Sequence, residues 1–166
     1  SDTINASNFN HRLFEKTLHQ KINQYRKQNG LNPLINNVLI SKVAKNQLDY
    51  IVAKNTLTHN QANPKKRSVT DRLEFYTQAK NYKVAENLAQ TFVLTRTKNY
   101  ISNGTTQIGI AYTYEEAATC MLNAWIASKA HNKNILTPEY EISGLTVYFN
   151  PKTKTVTAVQ VFAKFN

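Results

Sequence analysis

The side chains in this chain with the types needed for chemistry are few: four histidines, one cysteine, one carboxylate set among apolar neighbours, and one tight basic cluster. His11 and His19 fall inside one helical pattern. Neither has a second ligand-type residue at a metal-like spacing on a shared face, so both read as surface or hydrogen-bonded imidazoles. His59 comes directly after a helical pattern, in Thr58-His59-Asn60, where its ring is free to point into a cleft. His131 stands at the exit of another, in Ser128-Lys129-Ala130-His131-Asn132, with an Asn-Ile-Leu turn after it. Glu86 is enclosed by Val84, Ala85 and Leu88; burial disfavours a charged carboxyl, so it requires either a partner or exposure at a strand end. Cys120 has no second thiol for an intramolecular disulfide and shares an apolar stripe with Ala117, Met121 and Ala124. That places it as a buried structural thiol, since reactive thiols need an exposed electropositive setting.

Charge is the most lopsided property. Twenty-one Lys and Arg oppose ten Asp and Glu, a formal +11, which favours polyanions such as nucleic acid, anionic lipid or sulfated glycan. The cations are spread along the chain, and only Lys65-Lys66-Arg67 forms a tight cluster. A polyanion-binding patch and a plain solvated surface are the two readings of it. Nucleic-acid binding through this cluster with Tyr76 and Tyr82 is disfavoured, because no recognised nucleic-acid motif accompanies it. With four glycines in all, a phosphate-cradling loop has no support.

The elements that must position these groups are set by length and periodicity. At 166 residues, 41% hydrophobic and with no apolar run long enough to span a bilayer, the chain suits one compact domain over 9–166 behind a loosely held lead-in, 1–8. It opens Ser1-Asp2-Thr3 without Met or a signal pattern, as a processed chain does. Phe14, Leu18, Ile22 and Tyr25 mark a first helix stopped by Asn29-Gly30. Residues 31–37, with Pro33, read as a connection. Residues 38–55 make a second helix, carrying Ile40, Val43, Ala44, Leu48, Ile51 and Val52, expected to pack on the first. Ser68 is an N-cap for a short helix that the pattern draws over 72–78, and 82–89 is extended. Two β-prone runs, 91–97 and 107–113, flank Asn103-Gly104 as a hairpin. Thr113 and Glu116 form a capping box opening the Trp125 helix. Beyond Pro138, residues 142–149 and 155–165 form a second hairpin whose last strand has apolar residues on both faces, so helices must cover its sheet on two sides.

A His after the second helix, Ala85-Glu86-Asn87-Leu88, Trp125 leading to His131-Asn132-Lys133-Asn134-Ile135-Leu136, and a closing Val159-Gln160-Val161-Phe162 stand in a recognisable order. That order resembles the CAP superfamily, named for cysteine-rich secretory proteins, antigen 5 and pathogenesis-related proteins, and in particular its short bacterial branch. The resemblance runs roughly from Phe9 to Phe165, with Gly144 where the family's Gly-Val-Gly strand begins. It implies an α+β fold: a three-layer α-β-α sandwich with a central, mostly antiparallel sheet.

The resemblance also implies a cleft lined by two His and two acids, able in some members to hold a divalent metal. His59, Glu86 and His131 match three of these. Ser128 replaces the second acid, as is usual in the bacterial branch, and Ala85, Lys129-Ala130 and Asn132 depart from the pattern. Two imidazoles and a carboxylate suffice for a zinc-like ion with an open fourth position; a hydrogen-bonded structural cluster is the equal alternative. The family's varied binding roles, including sterol and fatty acid in some members, imply a non-enzymatic binding protein for lipid, anionic glycan or host protein. Its implied setting is extracellular or on a bacterial surface, as a monomer, with an outer-membrane lipid anchor outside this chain. The competing reading is a metal-assisted hydrolase using His59, Glu86 and His131, for which no paired Ser or Cys nucleophile is evident.

Overall fold

A computed structural model describes residues 2–93, 95, 100–102, 105–107 and 112–166, the segments 100–102 and 105–107 by backbone alone. Its centre is a four-stranded sheet in the order β1-β5-β6-β2, from β1 (Ile35–Asn36), β2 (Tyr82–Phe92), β5 (Ile142–Asn150) and β6 (Thr155–Phe165). The β5–β6 hairpin is the middle of the sheet, with Thr146 opposite Val159. β2 runs antiparallel to β6 over its whole length, with Glu86 opposite Val161 and Asn87 opposite Gln160. Only β1 is parallel, pairing Ile35–Asn36 with Ile142–Ser143. The architecture is the expected α-β-α sandwich, mostly antiparallel.

Alternation along the strands explains the layers. On β6, Val159, Val161 and Ala163 face one side, with Ala158 and Phe162 on the other, and all are buried. The first side packs against α2 (Val38–Lys54) and α3 (Val69–Tyr76) through Ile40, Val43, Leu48, Ile51 and Leu73. The second packs against α1 (His11–Gln28), α4 (Tyr114–Ala127) and α5 (Lys129–Ile135) through Phe14, Leu18, Met121, Trp125 and Ile135. The expectation that α2 packs on α1 therefore fails: a sheet buried on both faces needs one helix on each, and these two take opposite faces.

Local signals fix most helix ends. Gly30, at φ 75°, closes α1 with Gly30 N–H donating to Lys27 O and Leu31 N–H to Arg26 O, the paired bonds of a left-handed helix stop. Capping boxes open α3 at Ser68–Asp71 and α4 at Thr113–Glu116. The Trp125 helix does not run on to residue 136. It stops at Ala127, Ser128 turns extended, and α5 begins, so His131 lies in the first turn of a new helix. The buried face of α4 is Tyr114, Ala117, Ala118, Met121, Leu122 and Trp125. Cys120 and Ala124 fall on its flank and are exposed, which overturns the buried-thiol reading. The lead-in is also tied down: Ile4 is 1% exposed, its N–H donates to Tyr112 O at 2.7 Å, and Thr3 bridges Thr113.

Between β2 and α4, β3 (Tyr100–Ser102) and β4 (Thr105–Gln107) pair antiparallel. The Asn103-Gly104 turn expected between them, and residues 108–111 of the run 107–113, lie outside the described residues, as do 94, 96 and 97 of the run 91–97. Thr91 and Phe92 of that run belong to β2. No helix among the described residues is long and apolar enough to cross a membrane.

Buried Arg26 locks the α1 layer to the segment after α5. Its guanidinium donates to Asn32 O, Ile135 O, Thr137 O and Tyr140 O at 2.7–3.2 Å. Across the sheet, Gly144 lets β5 and the first turn of α2 touch: a Cβ there would stand 2.2 Å from Ser41 N and 2.4 Å from Ile40 C, both backbone. Neither atom can swing aside. Gly144→Ala is expected to cost at least about 1–3 kcal/mol of overpacking strain, read as a lower denaturant midpoint at unchanged slope.

Candidate functional site

Glu86 and Asn87 are adjacent on β2, so their side chains leave opposite faces of the sheet. Both are buried. Glu86 joins Val84 and Leu88 on the α3 face, while Asn87 joins Ala85 and Ala89 on the α4–α5 face. β2 pairs only with β6 and is an edge strand, so the candidate site wraps around that edge.

On the first face, Glu86 is held by two cationic or potentially cationic partners. Arg72 Nη2 donates to Oε2 at 2.5 Å and His59 Nδ1 lies 2.9 Å from Oε1. Arg72 is 0% exposed. Its Nη1 also donates to the carbonyls of His59 (3.0 Å), Lys66 (3.3 Å) and Arg67 (3.2 Å). A guanidinium on the first turns of α3 thus gathers the whole 59–67 loop around one carboxylate. His59 keeps about half its side chain, 53%, in solvent. Here is the partner that enclosed Glu86 requires, and reading the sequence position by position does not find it. The available signal was an Arg directly before Leu73, on the inward side of a short amphipathic helix.

On the second face, Asn87 organises α5. Its Nδ2 donates to His131 O at 3.0 Å and its Oδ1 accepts from Asn134 Nδ2 at 2.9 Å. Ser128, in the place of the family's second acid, is the N-cap of α5, and its Oγ accepts from His131 N–H at 3.4 Å. Trp125 Nε1 donates to Leu88 O at 3.0 Å, which satisfies an outward carbonyl of the β2 edge and fixes where α4 ends. The His131 imidazole is half-buried. Burial first, and then nearby His59, hold its pKa below the usual histidine value.

His59 and Glu86 are therefore brought together, and His131 approaches His59 from the other side of the strand. Among the described residues no group of three or more His, Cys, Asp or Glu side chains is placed to hold a metal ion. The chemistry of the donors agrees. One Glu86 oxygen is committed to a guanidinium that burial makes costly to abandon, and the other orients His59. The remaining pair of imidazoles falls short of the three protein ligands of a catalytic zinc.

Beside this site, the Pro64–Lys66 segment forms a single 3-10 turn that presents the basic cluster. Lys65 and Arg67 are exposed. Lys66 lies over the Phe75 ring at 4.2 Å and near that of Tyr76 at 5.6 Å, and Lys42 of α2 covers Tyr76 at 4.7 Å. Tyr82 on β2 is tied to the same helix, α3. Its hydroxyl donates to Glu74 at 2.5 Å, and burial together with that bond pushes its pKa up to about 12.

Two measurements check the site. Arg72→Met should destabilise the fold by about 3–5 kcal/mol, because it leaves Glu86 buried and unpaired, while Arg72→Met with Glu86→Leu should recover most of the loss. For His131, the folded pKa lies below the unfolded value of about 6.5, so below that pH the unfolded chain binds more protons. The stability of wild type relative to His131→Gln should accordingly fall as pH drops from 6.5 toward the folded midpoint. An NMR titration should place that midpoint below 6.5, and His59→Gln should raise it.

Comparison with known proteins agrees with this fold. An outer surface protein from Borrelia burgdorferi superposes with a TM-score of 0.68 at 21% identity, over 92% of this chain and 93% of that one. An extracellular protein with an SCP domain from Bacillus anthracis gives 0.65 at 18%, over 92% of this chain and 40% of that one. A cysteine-rich secretory protein from Staphylococcus aureus gives 0.60 at 17%, over 92% and 38%. These likenesses are to the fold. Among curated proteins, no relative matches significantly. The model of the cysteine-rich secretory protein family, CAP, matches residues 19–162, and the chain belongs to that family.

Proposed function

We propose that this CAP domain is a non-enzymatic binding protein, displayed outside a bacterial cell, and that its ligand is an anionic glycan held by the Lys65-Lys66-Arg67 face. The observation that carries the reading is the way buried Arg72 grips the carbonyls of Lys66 and Arg67. The cluster is thereby mounted on a rigid turn, with Lys42 beside it. A preorganised group of cations loses less conformational entropy on meeting a polyanion than four free side chains would. The formal +11 adds steering toward any such partner. The extracellular setting is supported by two of the similar structures, one an outer surface protein and the other an extracellular protein. Against catalysis stands the full engagement of Glu86, whose two oxygens both have partners, so that no free general base remains on β2.

The test is binding of a sulfated oligosaccharide, measured by calorimetry across a salt series. Wild type should bind, weaken steeply with salt, and lose at least about tenfold in affinity on joint replacement of Lys65, Lys66 and Arg67 by Ala, about 1.4 kcal/mol. Undiminished binding by that variant would overturn the assignment of the face. Stronger retention on anionic vesicles than on the glycan would move the ligand to lipid.

A further inference from the structure

The opposite edge of the sheet is open. β1 pairs with β5 for two residues only, and its line ends where Asn37 N–H donates to Ser143 O and the chain turns into α2. Beyond Ser143, the alternation of the ladder turns the main-chain groups of Leu145, Val147 and Phe149 outward. No strand meets them among the described residues. Two side chains of α1 stand there: Glu15 Oε1 accepts from Val147 N–H at 3.1 Å, and His11 Nε2 from Phe149 N–H at 3.5 Å. Each supplies an acceptor where the carbonyl of a neighbouring strand would lie.

The space for such a strand is present. Adjoining cavities of about 730 and 530 Å³ run along this edge between α1 and α2, sharing Arg12, Glu15, Lys45 and Thr146. A paired strand needs a spacing of only about 4.8 Å. Arg12 and Lys16 line the α1 wall and Lys45 the α2 wall, with Asp49 paired to Lys45. Cations on both walls suit a strand whose successive side chains point to alternate faces and are acidic.

We infer that the β5 edge between α1 and α2 is a docking groove for an extended acidic peptide, which continues the line of β1 and displaces Glu15 and His11 from the Val147 and Phe149 amides. Main-chain pairing supplies affinity, and Arg12, Lys16 and Lys45 select acidic side chains. Displacement of Glu15 also frees a carboxyl whose pKa burial has pushed up. The groove lies at the β5 edge, remote in the sheet order from β2 and the Lys65-Lys66-Arg67 face, so it stands whatever the fate of the glycan proposal.

The probe is a dye-labelled peptide of about eight residues, Glu-Glu-Thr-Thr repeated so that both faces of the strand carry Glu, titrated against the full chain by fluorescence anisotropy. It should bind, shift the Leu145, Val147 and Phe149 amide resonances, and lose at least about tenfold in affinity when its alternate amides are N-methylated. Glu15→Ala should tighten binding, and Arg12→Glu or Lys45→Glu should weaken it. The joint Ala replacement at Lys65, Lys66 and Arg67 should leave it unchanged. Should Glu15→Ala not fold, His11→Ala serves as the second variant that removes a competing acceptor. Equal affinity for the N-methylated peptide, no tightening in either acceptor variant, or amide shifts confined to the basic face would each overturn the inference.

Discussion

A carboxylate with 2% of its side chain exposed, Glu86, is the constraint around which one side of the molecule is arranged. An ionised acid in that position is tolerable only beside a compensating charge, and Arg72 brings a guanidinium that is itself wholly buried. Such a pair is not by itself a source of stability, since both ions have lost their water. The carbonyls of His59, Lys66 and Arg67 change the balance, because they occupy donors of Arg72 that the carboxylate does not reach. One ion pair thus dictates the path of the 59–67 loop. It aims His59, mounts the basic cluster and seats α3 against the sheet.

The other constraint is the two edges of a four-stranded sheet, each of which exposes main-chain groups unless something covers them. They are covered differently. At β2 the cover is a fully buried indole, Trp125, and its bond to Leu88 O is isolated from solvent. At β5 the cover is a carboxylate and an exposed imidazole reaching from α1 across a groove. The first is a permanent closure, built into the core. The second consists of two polar side chains that can rotate away.

Much of this architecture was legible in the sequence because it is written locally. Asn29-Gly30, Ser68, Thr113 with Glu116, and the two-faced strand after Lys154 each act within a few residues, and each appears where its chemistry places it. The features that were not legible depend on partners distant in the chain. β1 is two residues beside Pro33 and becomes a strand only because β5 arrives to receive it. The assignment of α1 and α2 to opposite faces is a property of the sheet they sandwich. On α4, a stripe through Ala117, Met121 and Ala124 and one through Ala118, Met121 and Trp125 differ by a small rotation. The bulk of Trp125 decides between them and leaves Cys120 outside.

The candidate site divides along the same line. Motif order places His59, Glu86 and His131 in the neighbourhood of one another, but not on one side of a strand. Because the side-chain period of a strand is two, the motif residue before Asn87 must face α3, while Asn87 itself faces and holds the helix of His131. Glu86 spends one carboxylate oxygen on His59 and the other on Arg72. Ser128 completes the arrangement, since its hydroxyl caps the first turn of α5 by accepting from His131 N–H. A position that carries a ligand in the family pattern is here a cap, and the imidazole three residues on is held by its backbone.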